Sequence, residues 1–122
     1  MNLKPLPEAF TVCQISNFTA IDFSREYVFL SKTDEELSLV CETEFVPAGA
    51  IAREDGWRAF RVGGVLDFSL VGILAEISGT LAKAGISIFA ISTYNTDYIL
   101  VKEASFPRAL AALSAARYAN LE

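Results

Sequence analysis

Across residues 57–103 the spacing of apolar residues changes twice, and those changes limit the folds open to this chain. Residues 57–62 (WRAFRV) alternate as a strand does, with Phe60 and Val62 expected inward and Arg58 or Arg61 outward. From Ser69 the period turns helical. Leu70, Ile73, Leu74, Ile77, Leu81 and Ala84 recur at three- and four-residue steps, and Glu76, Thr80 and Lys83 fall on the other side. Asp67 or Ser69 is placed to cap the start and Gly85 to make the left-handed exit. Gly72 and Gly79 fall inside this helix, at about 1 kcal/mol each against alanine. Close backbone packing or a closely approaching ligand would offset that. Residues 86–93 (ISIFAIST) are apolar on both faces, which predicts a strand central in a sheet covered on both faces or joined to another subunit. Tyr94, Asn95, Thr96 and Asp97 supply turn chemistry, and residues 98–102 return as a strand. Ser105 is placed to cap a final helix with Pro107 in its first turn and Phe106, Leu110 and Leu113 on its apolar face.

This order, β-α-β-β-α, is the first five elements of a ferredoxin-like βαββαβ unit, so the fold class is α+β. The last strand is missing, and the first half of the chain has strands to spare. Residues 1–7 hold two prolines and read as an extended lead-in, whereas residues 10–16 (FTVCQIS) alternate and are the candidate to fill the gap. Residues 17–25 suit a turn or one helical turn. Residues 27–32 and 37–46 suit a hairpin about Thr33-Asp34-Glu35-Glu36, with Glu42 and Glu44 on a solvated face. Pro47, Gly49 and Gly56 mark a boundary, with room for one helical turn at 48–53.

The 122 residues fit one domain or two very small units, and 52% apolar content is enough to build a core. Ten basic residues scattered among fifteen acidic ones give a net charge of −5, which argues against nucleic acid or an anionic membrane surface as a partner. No signal-like leader and no long apolar run is seen, so a cytoplasmic location is expected. Cys13 and Cys41 stand alone among apolar neighbours and read as core thiols. The chain has no histidine, which removes the commonest general base and metal ligand. No catalytic residue, metal site or cofactor is expected.

The run GGVLDFSLVGILAEISGTLAKAGISIFAISTYNTDYILVKE, above all its AGISI, IST and TDYILV segments, resembles the ACT domain family of small-molecule-binding regulatory modules. It is most similar to the branch shared by aspartate kinase regulatory regions and cytosolic arginine sensors. The resemblance implies an ACT domain over residues 57–122 and a degenerate ACT-like unit over 1–56, sharing strands. It also implies a sensor without catalytic activity that takes a small-molecule ligand, an amino acid, and works as a homodimer or on a regulated protein partner. The ligand would meet Asp67, Phe68, Ser69, Leu70, Val71 and Gly72 before and at the helix start, and Ser92, Thr93, Thr96 and Asp97 around the hairpin. A helix N-terminus suits the ligand's carboxylate, and Asp67 suits its ammonium or a basic side chain. The loop LDFSLVG lacks the proline that many amino-acid-binding relatives carry. The alternative is a structural or oligomerisation module of the same fold that binds a protein and has lost the ligand.

Overall fold

A computed structural model describes residues 3–62 and 72–116. Its strands are β1 (Leu3–Ile15), β2 (Val28–Lys32), β3 (Leu37–Glu42), β4 (Ala52–Val62), β5 (Phe89–Ser92) and β6 (Asp97–Lys102). Two helices, α1 (Ile73–Lys83) and α2 (Phe106–Ala115), join them, with 3-10 turns at Thr43–Phe45 and Glu103–Ser105. The strands hydrogen-bond in the order β2-β3-β1-β4-β6-β5, and β1–β3, β2–β3 and β5–β6 are antiparallel. The class is therefore α+β.

The chain divides into two compact units, and both long strands are shared between them. One unit takes residues 3–7, 58–62 and 72–116; the other is Glu8–Trp57. In the first, Leu3, Phe60, Val62, Ile77, Leu81, Ile99 and Val101 join Phe106, Ala109 and Leu113 of α2 in one core. Phe60 stacks on Phe106 with ring centroids 5.0 Å apart. In the second, Cys13, Ile15, Leu39 and Cys41 form the core, flanked by Ile21, Val28 and Leu30.

The strand that completes the first unit is thus the opening part of β1, not residues 10–16. Residues 10–15 are in register with β3, from Phe10 opposite Glu42 to Ile15 opposite Leu37. Residues 3–7 were expected only to lead in, because Pro5 and Pro7 cannot donate to a ladder. Prolines remain compatible with a strand wherever a ladder N–H is not required, and Leu3 and Leu6 are buried. β4 likewise starts earlier than expected, at Ala52, so the helical turn expected over 48–53 is a simple turn closed by the Ala50 N–H on the Pro47 carbonyl at 3.1 Å. Arg58 shares the inward parity of Phe60: its guanidinium lies 4.1 Å from the Phe106 ring centroid and donates to the Leu6 carbonyl at 3.1 Å.

Further expectations change. Within one chain strand β5 ends the sheet order and is not central; Phe89 and Ile91 are half-buried while Ala90 and Ser92 are exposed. Helix α1 starts at Ile73, and Gly72 is its N-cap at φ 82, a left-handed conformation that favours glycine. Gly79 does lie inside α1, but among the described residues nothing approaches the place its Cβ would take, so close packing does not explain it. Ser105 holds the N-cap position of α2 without a side-chain capping bond. The exit of α1 is as expected. Gly85 at φ 74 donates to the Ala82 carbonyl at 2.9 Å and Ile86 to that of Leu81 at 3.0 Å, the two bonds of a Schellman cap.

The β5–β6 hairpin repeats the β2–β3 hairpin at a constant offset. Phe29 pairs with Val40 and Lys32 with Leu37; Phe89 pairs with Leu100 and Ser92 with Asp97. Each hairpin is followed by a 3-10 turn, Thr43–Phe45 or Glu103–Ser105, and then by Pro47 or Pro107. The burial sequence along β3 and β6 is the same. Where the first unit carries α1, the second has residues 17–25 in two Asx turns, Asn17 accepting from the Thr19 N–H at 3.1 Å and Asp22 from the Ser24 N–H at 3.0 Å. The Ser24 bonds hold the exposed Asp22 carboxyl below its usual range.

Cys13 and Cys41 are buried and free. Burial pushes the Cys41 thiol from 9.0 up to about 11, with Cys13 and Glu42 adding to the rise and Arg53 opposing it. Burial raises Cys13 as well. The unfolded chain's thiol ionises near pH 9, before the folded one. The stabilisation is therefore complete below that pH and is lost as pH rises toward the folded value. Chemical denaturation is expected to show stability falling above about pH 9, by roughly 3 kcal/mol if the full rise is expressed. Cys41→Ala should flatten this decline; an identical decline in the variant would contradict the assignment.

Candidate functional site

The β5–β6 hairpin gathers four of the residues singled out from sequence. Its register sets Ser92 opposite Asp97, and the Ser92 hydroxyl donates to Asp97 Oδ1 at 2.6 Å. That distance is characteristic of a charge-assisted O–H···O bond. A carboxylate offers about four lone-pair sites and this hydroxyl occupies one, so Asp97 has acceptor capacity for a cationic group. Thr93 and Thr96 close the turn: the Thr93 N–H meets the Thr96 carbonyl at 2.8 Å, and the Thr93 hydroxyl donates to the same carbonyl at 3.0 Å. The Thr96 hydroxyl turns the other way and donates to the Val62 carbonyl at 2.9 Å. Thr96 is buried at 6% exposure, whereas Tyr94 at the tip is 80% exposed.

Gly72 heads α1, exposed, with its carbonyl accepting the first helical bond from the Glu76 N–H at 2.8 Å. No side chain caps this end among the described residues, so first-turn N–H groups and the positive end of the helix dipole suit a carboxylate there. Gly72 makes no hydrogen bond to the hairpin turn among the described residues. Asp67, Phe68, Ser69, Leu70 and Val71 lie outside the described residues. In the described part, then, Ser92 is joined to Asp97 and Thr93 to Thr96, while Thr96 is fastened to β4.

The Glu8–Trp57 unit holds features that the sequence did not disclose. A cavity of about 300 Å³ is lined by Glu8, Ser24, Arg25, Glu26 and Glu42, so Glu42 walls a cavity and is half-buried, where a solvated strand face was expected. The Arg25 guanidinium lies 3.8 Å from the Phe45 ring centroid. Buried Thr11 donates to Asp55 at 2.7 Å and accepts from the Thr43 hydroxyl at 3.0 Å; Asp55 in turn pairs with Arg53 at 3.0 Å. Among the described residues no group of three His, Cys, Asp or Glu side chains is placed to hold a metal ion. No helix among them is long and apolar enough to cross a membrane.

The strand order of the unit that carries the hairpin, with the opening of β1 beside β4, β6 and β5, is that of a βαββαβ sheet whose last strand comes from the start of the chain. The ACT domain model matches residues 52–115, just over half of the chain. The chain belongs to the ACT domain family. Within the family, the human protein named cytosolic arginine sensor for mTORC1 subunit 1 is 52% identical over 48 residues, covering 38% of this ACT chain and 15% of that protein. The mouse protein of that name is 50% identical over 48 residues and is matched over 14% of its length. This ACT chain thus spans only a small fraction of those relatives. Among solved structures, a protein from Agrobacterium tumefaciens superposes with a TM-score of 0.83 at 28% identity, covering 96% of this chain and 89% of that one. The ligand-free regulatory subunit of aspartate kinase from Thermus thermophilus shares the fold, with a TM-score of 0.66 at 10% identity and coverage of 96% and 97%.

Proposed function

We propose that this ACT protein is a regulatory sensor without catalytic activity, and that its ligand is an amino acid. The observation that carries the reading is the Ser92–Asp97 pair, a carboxylate oriented by a hydroxyl at the end of a hairpin. The start of α1, which no side chain among the described residues caps, complements it in charge: one seat suits a carboxylate and the other a cation, as a zwitterion requires. In this reading Asp67, Phe68, Ser69, Leu70, Val71 and Gly72 supply the seat around the helix start, and Ser92, Thr93 and Asp97 the hairpin side, with Thr96 backing the turn through its bond to Val62. The relatives named arginine sensors make L-arginine the first ligand to test.

The domain reading that goes with this is an ACT domain over residues 57–122 and a degenerate ACT-like unit over 1–56, and the repeated hairpin geometry supports it. The ligand acts by binding two states of the protein unequally, shifting a homodimer or a contact with a regulated protein partner in the cytoplasm. Thermal or chemical unfolding against the twenty amino acids tests the reading. A ligand at 100 times its dissociation constant should add about 2.7 kcal/mol of stability. Unchanged unfolding with all twenty would refute it.

A further inference from the structure

We propose that Thr96 is a positioning residue: its buried hydroxyl pins the β5–β6 turn to the end of β4 and thereby fixes where the Asp97 carboxylate is presented. The inference rests on the amino-acid reading of this hairpin for its functional consequence, although the pin itself is a property of the ligand-free protein.

A buried hydroxyl in a turn is commonly just a satisfied polar group, and the repeat within the chain supplies the control. The β2–β3 turn closes with the same backbone bond, the Thr33 N–H on the Glu36 carbonyl at 3.0 Å, against 2.8 Å for Thr93 and Thr96. Thr33 also repeats the role of Thr93, its hydroxyl accepting from the Glu36 N–H at 3.2 Å as that of Thr93 does from the Thr96 N–H at 3.4 Å. At the place of Thr96, however, the first hairpin has Glu36, which is exposed. At the places of Ser92 and Asp97 it has Lys32 and Leu37. The turn therefore closes without a buried hydroxyl. The pin is found on the hairpin that carries the Ser92–Asp97 pair, and its counterpart lacks both.

The geometry explains what the pin adds. Thr96 immediately precedes Asp97, and its branched Cβ restricts the side chain to few rotamers. A bond of 2.9 Å from Oγ1 to the Val62 carbonyl then fixes the backbone next to the carboxylate relative to a core strand. Two-point attachment, Ser92 across the hairpin and Thr96 onto β4, reduces the orientations open to Asp97. Pre-organisation of this kind appears as affinity because less freedom is lost on binding.

Thr96→Val removes the donor and keeps the shape; Thr96→Ser keeps the donor. The full-length proteins would be compared by amide hydrogen exchange and by calorimetric titration with L-arginine. In Thr96→Val, exchange at the Thr93 amide should rise by about five- to tenfold beyond any change at the core amides of Ile99 and Leu100. L-arginine affinity should fall by a similar factor, and Thr96→Ser should restore most of both. If Thr96→Val does not fold, Thr96→Ala takes its place in the same comparison. Exchange that rises equally at Thr93, Ile99 and Leu100, or an unchanged affinity for L-arginine, would overturn the proposal. Absence of L-arginine binding to the unmodified protein would count against that ligand alone, and the exchange comparison would still decide the pin.

Discussion

Removal of residues 1–7 is expected to abolish the cooperative unfolding transition of the chain. These residues are far from Arg58 in sequence, yet residues 3–7 belong to the unit built from residues 58 onward. Leu3 is 0% exposed and Leu6 1%, and the Leu6 carbonyl accepts the Arg58 guanidinium bond. A buried leucine truncated to alanine typically costs about 2–5 kcal/mol, and a small domain has only about 5–15 kcal/mol in total. Loss of both leucines together with a sheet strand therefore takes away most or all of the stability. Leu3→Ala alone should lower the unfolding free energy by about 2–4 kcal/mol, whereas Lys4→Ala, at an exposed position of the same strand, should change it by less than about 0.5 kcal/mol. Urea titrations of the three variants provide the check. An undiminished transition in the shortened chain would mean that β1 is not part of that core.

Asp97→Asn is expected to remove the response to an amino-acid ligand while leaving the fold in place. The substitution conserves shape and one acceptor for the Ser92 hydroxyl but deletes the negative charge. Hydrogen bonds to charged groups contribute about 1.5–3 kcal/mol, so affinity for a ligand with a cationic group should fall by roughly ten- to more than a hundredfold. The matching control is Asp34→Asn, which removes a charge from the other hairpin turn and should leave affinity unchanged. Calorimetric titration with L-arginine distinguishes the two. Equal affinity of Asp97→Asn and the unmodified protein would remove Asp97 from the ligand site.

Helix α1 was legible because local rules and packing agree there: the apolar stripe runs through Ile77 and Leu81 to Gly85, whose left-handed exit closes the helix. The βαββαβ arrangement followed from the order of elements. What local rules could not show was the division of β1. Two prolines suppress the strand signal of residues 3–7, and only burial of Leu3 and Leu6 in a distant core reveals their role. Strand β5 misled in the opposite sense. Its apolar residues suggested a strand central in a covered or subunit-joined sheet, but within one chain it ends the strand order with Ala90 exposed. Gly72 read as a costly helix interior because the apolar period extends to Leu70, whereas the described helix begins only at Ile73.

At the site, Ser92 and Asp97 were legible as polar residues beside a turn, and their direct bond became visible only once the register was known. Thr96 looked like a ligand contact of the same kind. Its burial against Val62 depends on strand β4, distant in sequence, so nothing local distinguishes it from exposed Thr93. The repeat was in principle visible from the constant offset linking Phe29 with Phe89, Thr33 with Thr93 and Pro47 with Pro107, a self-comparison that would have flagged the two hairpins as counterparts.

The most direct test of this protein as an amino-acid sensor is an NMR titration of the labelled full-length chain with each of the twenty amino acids, L-arginine first. Saturable shifts are expected at Gly72, Ser92, Thr93 and Asp97, with the counterpart amides of Lys32, Thr33 and Leu37 little changed. Saturable shifts at the β2–β3 hairpin alone, or none with any amino acid, would contradict the sensor reading.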